Sequence, residues 1–263
     1  RMSNTNDAPF ATVPPRVAAD DATYLMHTYA RLPIEFVSGH GATLTDSAGN
    51  DYLDMLGGIG CASLGHANPQ VALALTEQLR NVWQVGNYFY VENRNELARA
   101  LSGFLSTTTD EGGHCVGSTG TTWQTFFANS GAEANEGAFK VARRWGEKKL
   151  NGASGILTAC KSFHGRTLAT LAATGQEAFH QSFRPLPAGF AAVPLNDANA
   201  LAAALEHPSE QTGPVCAVLL ECVQGEGGVW NADYDYLRAV RDLCDKNDVL
   251  LMVDEVQTGF FRC

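Results

Sequence analysis

Val215-Cys216-Ala217-Val218-Leu219-Leu220-Glu221-Cys222-Val223 is an apolar run of strand length, and Leu250-Leu251-Met252-Val253-Asp254 repeats the pattern thirty residues on. Neither run alternates polar and apolar residues, so each reads as a strand buried on both faces, over 215–223 and 249–253. Between them, residues 234–246 place Leu237, Val240 and Leu243/Cys244 on one face of a helix. Strand, helix and parallel strand make up the unit of an α/β sheet covered by helices on both sides.

Upstream the same alternation continues. Residues 124–129 read as a strand, Gly131–Lys149 as a helix, 155–160 as a strand, and 166–173 and Ala198–Glu206 as helices. Earlier still, 43–54 reads as a hairpin turning at Ser47-Ala48-Gly49-Asn50, and 69–82 and 95–105 as helices. The Thr-, Gly- and Ser-rich segment 106–122 reads as a surface loop. Residues 1–50, punctuated by Pro9, Pro14, Pro15 and Pro33, are expected to form an N-terminal arm with part of a small domain, and 51–263 a large domain.

Composition narrows the function. With 45% hydrophobic and 17% charged residues among 263, the chain has ample material for a core. A net charge of −10 argues against nucleic acid or an anionic membrane as the main partner. Seven scattered cysteines without a C-x-x-C pair, and no apolar leader or membrane-length stretch, point to a soluble, reduced, cytoplasmic protein.

Three features bear on chemistry. Ser130 with Glu133 three residues on fits a capping box, and Gly131 and Ala132 leave the first-turn N–H groups of that helix uncovered, as an anion site requires. An ordinary capped helix has the same signature. Residues 155–162 come within one residue of a phosphate-binding P-loop, but Cys160 stands where its second glycine belongs. Asp254, closing a buried strand, needs a cationic or hydrogen-bonding partner; a protonated ring nitrogen is one, a structural pair another. A phosphate cradle together with a carboxylate for a pyridinium is the set that pyridoxal phosphate requires.

Asn129-Ser130-Gly131-Ala132-Glu133-Ala134-Asn135-Glu136, Ser162-Phe163-His164-Gly165-Arg166-Thr167, Glu221-Cys222-Val223-Gln224-Gly225-Glu226-Gly227-Gly228 and Asp254-Glu255-Val256-Gln257-Thr258-Gly259-Phe260 occur in that order. Together they resemble the class III aminotransferases of fold-type I, above all the acetylornithine and ornithine aminotransferases. The resemblance runs from about Tyr24 onward. It implies a pyridoxal 5'-phosphate enzyme, homodimeric, moving the terminal amino group of N-acetylornithine or ornithine to 2-oxoglutarate in arginine biosynthesis. Carried over by motif, Ser130, Gly131 and Ala132 hold the cofactor phosphate and Phe163 stacks on its ring. His164 forms a pocket wall, Asp254 keeps the ring nitrogen protonated and Gln257 bonds the phenolic oxygen. Arg166 takes the substrate α-carboxylate, where a planar guanidinium is better suited than an ammonium. Glu226 lies near the substrate side chain.

One element of the pattern is missing. The family's cofactor-bearing lysine follows the Asp-Glu-Val-Gln motif, whereas Lys140, Lys148, Lys149, Lys161 and Lys246 all precede Asp254. Phe261 and Cys263 also depart from the family's usual continuation. A truncated chain, a frameshifted product or a short paralogue each accounts for this, and the abrupt stop favours truncation. The expectation is that this polypeptide alone is inactive, the alternative being a paralogue that binds cofactor or partner without turnover.

Overall fold

The computed structural model describes residues 13–110, 114–260 and 262–263. Pro9, Phe261 and the centre of the expected loop 106–122 fall outside the described residues. The chain forms two compact units, 1–89 with 260–263, and 90–259. The expected boundary at residue 50 falls inside the first of these.

The first unit carries α1 (Pro15–Tyr24), which the sequence reading missed, and a three-stranded antiparallel sheet of β1 (Phe36–His40), β2 (Thr43–Asp46) and β3 (Asp51–Leu53). β2 and β3 form the expected hairpin; β1 was not foreseen. Asp46 builds the turn, accepting from Ala48 N, Asn50 N, the Asn50 amide and the Tyr52 hydroxyl at 2.8–3.0 Å. Burial opposes its ionisation, but those bonds outweigh it and bring the carboxyl down to about 2. Helix α2 (Pro69–Gln78) starts where Asn68 caps the N–H groups of Gln70 and Val71, and it stops four residues short of the expected end.

The second unit opens with α3 (Glu92–Leu105), three residues longer at its start than the apolar pattern indicates. The segment expected as loop contains a short antiparallel pair, β4 (Thr107–Thr109) and β5 (Cys115–Ser118). β-branched threonines favour that extended pairing over an open loop. Residues 124–129 are not a strand: no strand among the described residues pairs with them, and a ladder needs a partner's N–H and C=O groups.

The core is a four-stranded parallel sheet in the order β11-β8-β6-β7, with β6 at Gly155–Ala159, β7 at Phe190–Val193, β8 at Val215–Leu220 and β11 at Leu250–Val253. β7 was not foreseen. β6 and β8, the central strands, are buried at every position, as their unbroken apolar runs imply. Alternate residues feed two cores. Leu157, Ala159, Val218 and Leu220 face α6 (Ala198–Glu206) and α7 (Tyr234–Asn247) through Leu201, Tyr236, Val240 and Cys244. Ile156, Ala217 and Leu219 face α4 (Gly131–Lys149) and α5 (Leu168–Ala173) through Phe139, Ala142 and Ala173. The expected strand 215–223 breaks at Glu221-Cys222, and Val223–Gln224 turns away as β9 to pair with β10 (Trp230–Asn231). Trp145 is half-buried with its indole N–H donating to Asp248 O, and Tyr236 is buried, both consistent with core roles. Of the arginine pair on α4, Arg144 pairs with Glu147 on the solvated face, whereas Arg143 covers the Phe190 ring at 5.5 Å.

Chain connectivity positions the site. After β6 the chain moves to β7, and after β8 it moves the opposite way to β11. The crevice at the carboxyl ends of β6 and β8 is therefore the switch point at which such sheets bind ligands. No helix among the described residues is long and apolar enough to cross a membrane.

Candidate active site

Three loops and one helix end meet at this crevice: 162–167 after β6, 221–226 after β8, 254–257 after β11, and the start of α4. The α4 cap is built as its sequence indicates. Ser130 Oγ accepts from Glu133 N at 3.1 Å, and Glu133 Oε2 reaches back to accept from Asn129 N at 2.6 Å. That return bond lands one residue before the cap. Gly131 and Ala132 occupy the first turn, whose N–H groups have no intrahelical acceptor. A Cβ on Gly131 would lie 2.7 Å from Val256 Cγ2, so any larger residue there must push the Val256 side chain of the 254–257 loop aside. Gly165, at φ +130°, holds a backbone conformation that side chains disfavour, and a Cβ there would meet Ala132 Cβ at 2.9 Å.

Asp254 is buried. Its Oδ2 accepts from His164 Nδ1 at 2.8 Å and from the Asn135 amide at 2.9 Å, and its Oδ1 accepts from Val256 N at 3.0 Å. Burial pushes its pKa up, but the bonds from His164 and Asn135 overcome this and hold the carboxyl below its usual range. The result is an ionised carboxylate in a shielded site.

His164 calls for a correction. It is not the wall of an open pocket: its side chain is 0% exposed and packed behind Asp254, with Nε2 unpartnered among the described residues. Its proton-bearing Nδ1 orients the carboxylate. Phe163 is half-buried, edge-on to Phe179 at 5.9 Å between ring centroids. Arg166 is exposed, its guanidinium 5.3 Å from the Phe179 ring centre and 5.9 Å from that of Phe163. Gln257 donates to Glu226 Oε1 at 2.9 Å, so these two expected ligand contacts meet each other. The structure thus brings all nine candidate residues into one unit at one end of one sheet.

Two residues of the cluster escaped the sequence reading. Glu221, buried at the end of β8, accepts from Phe163 N at 3.1 Å across the switch-point crevice. Burial, with smaller contributions from the negative charges of Asp254 and Glu226, drives its carboxyl up to about 8 against the opposing bond from Phe163. The signal was present, since Glu221 ends an apolar run as Asp254 does. Asn135 is the other. It shares the buried face of α4 with Phe139, Ala142 and Gly146, and a lone amide on that face called for a partner.

Residues 24–263 match the protein family described as aminotransferase class-III. The acetylornithine aminotransferase of Caldanaerobacter subterraneus subsp. tengcongensis is 46% identical over 240 residues, covering 91% of this chain and 56% of that protein. The acetylornithine aminotransferase of Synechocystis sp. is 42% identical over 246 residues, covering 93% and 54%. Among solved structures, an ornithine aminotransferase from Toxoplasma gondii superposes with a TM-score of 0.80 at 29% identity, over 92% of this chain and 53% of that one. The N-acetylornithine aminotransferase from Stenotrophomonas maltophilia K279a gives a TM-score of 0.68 at 33% identity, over 89% and 53%. The chain spans about half the length of the relatives it matches.

Proposed function

Because this chain belongs to the class III aminotransferases, we propose that it forms the cofactor-holding part of an enzyme moving the terminal amino group of N-acetylornithine, or of ornithine, to 2-oxoglutarate in arginine biosynthesis. The family is of fold-type I and works with pyridoxal 5'-phosphate. The name shared by the curated relatives supports the substrate. In this reading the enzyme is a cytoplasmic homodimer.

The observation that carries the reading is Asp254, an ionised carboxylate kept in a buried site by two side-chain donors at the same sheet end as an anion-ready helix start. The residues present fit the cofactor. Bare N–H groups at Gly131 and Ala132 suit a phosphate, and Asp254 suits a protonated ring nitrogen. Bound there, pyridoxal phosphate supplies an electron-accepting ring for chemistry at the carbon bearing the amino group.

The protein's own residues bind and orient. Gly131 and Ala132, beside Ser130, hold the phosphate; Phe163 packs on the ring face; Asp254 holds the proton on the ring nitrogen. Gln257 donates to the phenolic oxygen, exchanging its bond with Glu226. Arg166, beside Phe163, pairs with the substrate carboxylate, and Glu226 faces the substrate's far end. The test is equilibrium dialysis of pyridoxal phosphate against the 263-residue polypeptide and its Asp254→Ala variant. Retention by the first, weakened at least about tenfold in the second, supports the reading. Equal affinity of the two overturns it.

A second reading rests on the lysines, all five of which precede Asp254. A polypeptide of these 263 residues holds the cofactor without a lysine at the motif position to bear it or to act as base, and it does not transaminate. Turnover of N-acetylornithine with 2-oxoglutarate by this polypeptide alone would refute that.

A further inference from the structure

Asn135 spends both amide hydrogens on one junction. Its Nδ2 donates to the backbone oxygen of His164 at 2.9 Å and to Asp254 Oδ2 at 2.9 Å. Its partners lie 29 and 119 residues away in sequence, and Asn135 itself is 6% exposed. It sits on α4 one turn beyond Gly131, so the same rigid helix that opens with the phosphate-ready N–H groups also grips the carboxylate.

The chemistry explains why an amide suits this place. A cation in place of Asn135 would neutralise Asp254 and compete with a protonated ring for it. A second carboxylate would repel Asp254. An amide donates without charge and leaves the negative charge to the ligand. A pyridine ring carrying a phosphate arm is a ligand of nearly fixed length, and small errors in spacing between its two anchors are costly.

We infer that Asn135 is a positioning residue that sets the span between the phosphate-holding turn of α4 and the carboxylate of Asp254. The inference rests on the reading of Asp254 as the partner of the cofactor's ring nitrogen. Asn135 touches no ligand atom and acts through Asp254 and the His164 backbone.

The test compares three probes on the same polypeptide: pyridoxal 5'-phosphate, its analogue with carbon in place of the ring nitrogen, and inorganic phosphate. In Asn135→Leu, which keeps the branched heavy-atom skeleton and removes both donors, affinity for pyridoxal phosphate should fall about ten- to hundredfold, the loss expected for a hydrogen bond to a charged group. Affinity for the carbon analogue and for phosphate should change less than about threefold. An equal loss for all three probes would mean a purely structural role and overturns the inference, as would no loss for any. Should Asn135→Leu fail to fold, the side-chain amide resonances of Asn135 in the unaltered chain decide. They should shift on addition of pyridoxal phosphate and stay in place with phosphate alone, and immobility with both overturns the inference. Failure of the underlying reading is seen separately. In that case Asp254→Ala, and not only Asn135→Leu, leaves pyridoxal phosphate affinity unchanged.

Discussion

Asp254 Oδ2 lies 2.8 Å from His164 Nδ1, with side chains 4% and 0% exposed, although 90 residues separate the two in sequence. A carboxylate so shielded is tolerable only while its donors stay in place. The pair therefore fastens the loop after β6 to the end of β11.

Removing the carboxylate strands the donors. Asp254→Ala leaves His164 Nδ1 buried without an acceptor and takes one of its two acceptors from the Asn135 amide, and it should cost about 3–5 kcal/mol in urea unfolding at neutral pH. The pH dependence has a definite sign. The native pKa of Asp254 lies below the ordinary carboxylate value, so its contribution is fully present above about 3.8. It fades as pH falls through the native value. Acid titration of the variant should accordingly lack part of the steepest loss seen in the unaltered chain.

Glu221 has the opposite sign. Its native pKa is raised to about 8 from 4.5, so the folded chain keeps a proton that the unfolded chain releases. Stability should fall as pH rises between those values, by at most ~1.4 kcal/mol per pH unit from this one group. In Glu221→Gln the amide oxygen still accepts from Phe163 N, but nothing titrates. The slope between about pH 5 and 8 should flatten, and an unchanged slope would show that Glu221 ionises freely in the folded protein.

The parallel sheet was legible because β6 and β8 are buried on both faces and must be apolar throughout. α4 was legible to the residue because Ser130 and Glu133 mark its start. β7, only four residues long and with Ala191 half-buried and Ala192 exposed in its middle, carries no such signature. The segment 124–129 has the composition of a strand, but pairing is settled by neighbours that composition does not encode. At the site, residue types disclosed Asp254 but not its partners. The bonds to His164 and Asn135 are long-range, and the error over His164 followed from reading it beside Phe163 in sequence rather than behind Asp254 in space.

Leu201 tests how far α6 depends on a single contact. It is the one buried residue of that helix, 0% exposed, and packs into the core beneath β6 and β8. Leu201→Ala should destabilise by about 2–5 kcal/mol through lost burial and the cavity left behind. Leu168, 56% exposed at the start of α5, supplies the contrast. Leu168→Ala should stay within about 0.5 kcal/mol, since nothing fills or empties around it.

The cysteines give a probe of folding that needs no ligand. Cys61, Cys115, Cys160 and Cys263 are exposed, Cys222 is half-buried, and Cys216 on β8 and Cys244 on α7 are buried in the cores on opposite faces of the sheet. Burial lifts the thiols of Cys216 and Cys244 to about 11, the first despite Arg143 and the second despite Arg241, so thiolate is scarce as well as shielded. Burial and the nearby charge of Glu255 also raise Cys222. With a disulfide reagent in excess near pH 8, the exposed thiols should react first, Cys222 more slowly, and Cys216 and Cys244 only at the rate at which the sheet opens. Adding urea to the transition midpoint should release the last two together, because both lie on β8 or the helix packed against it. Release of Cys244 well before Cys216 would mean that α7 leaves the sheet as an independent unit, in conflict with two cores that open together through the sheet between them.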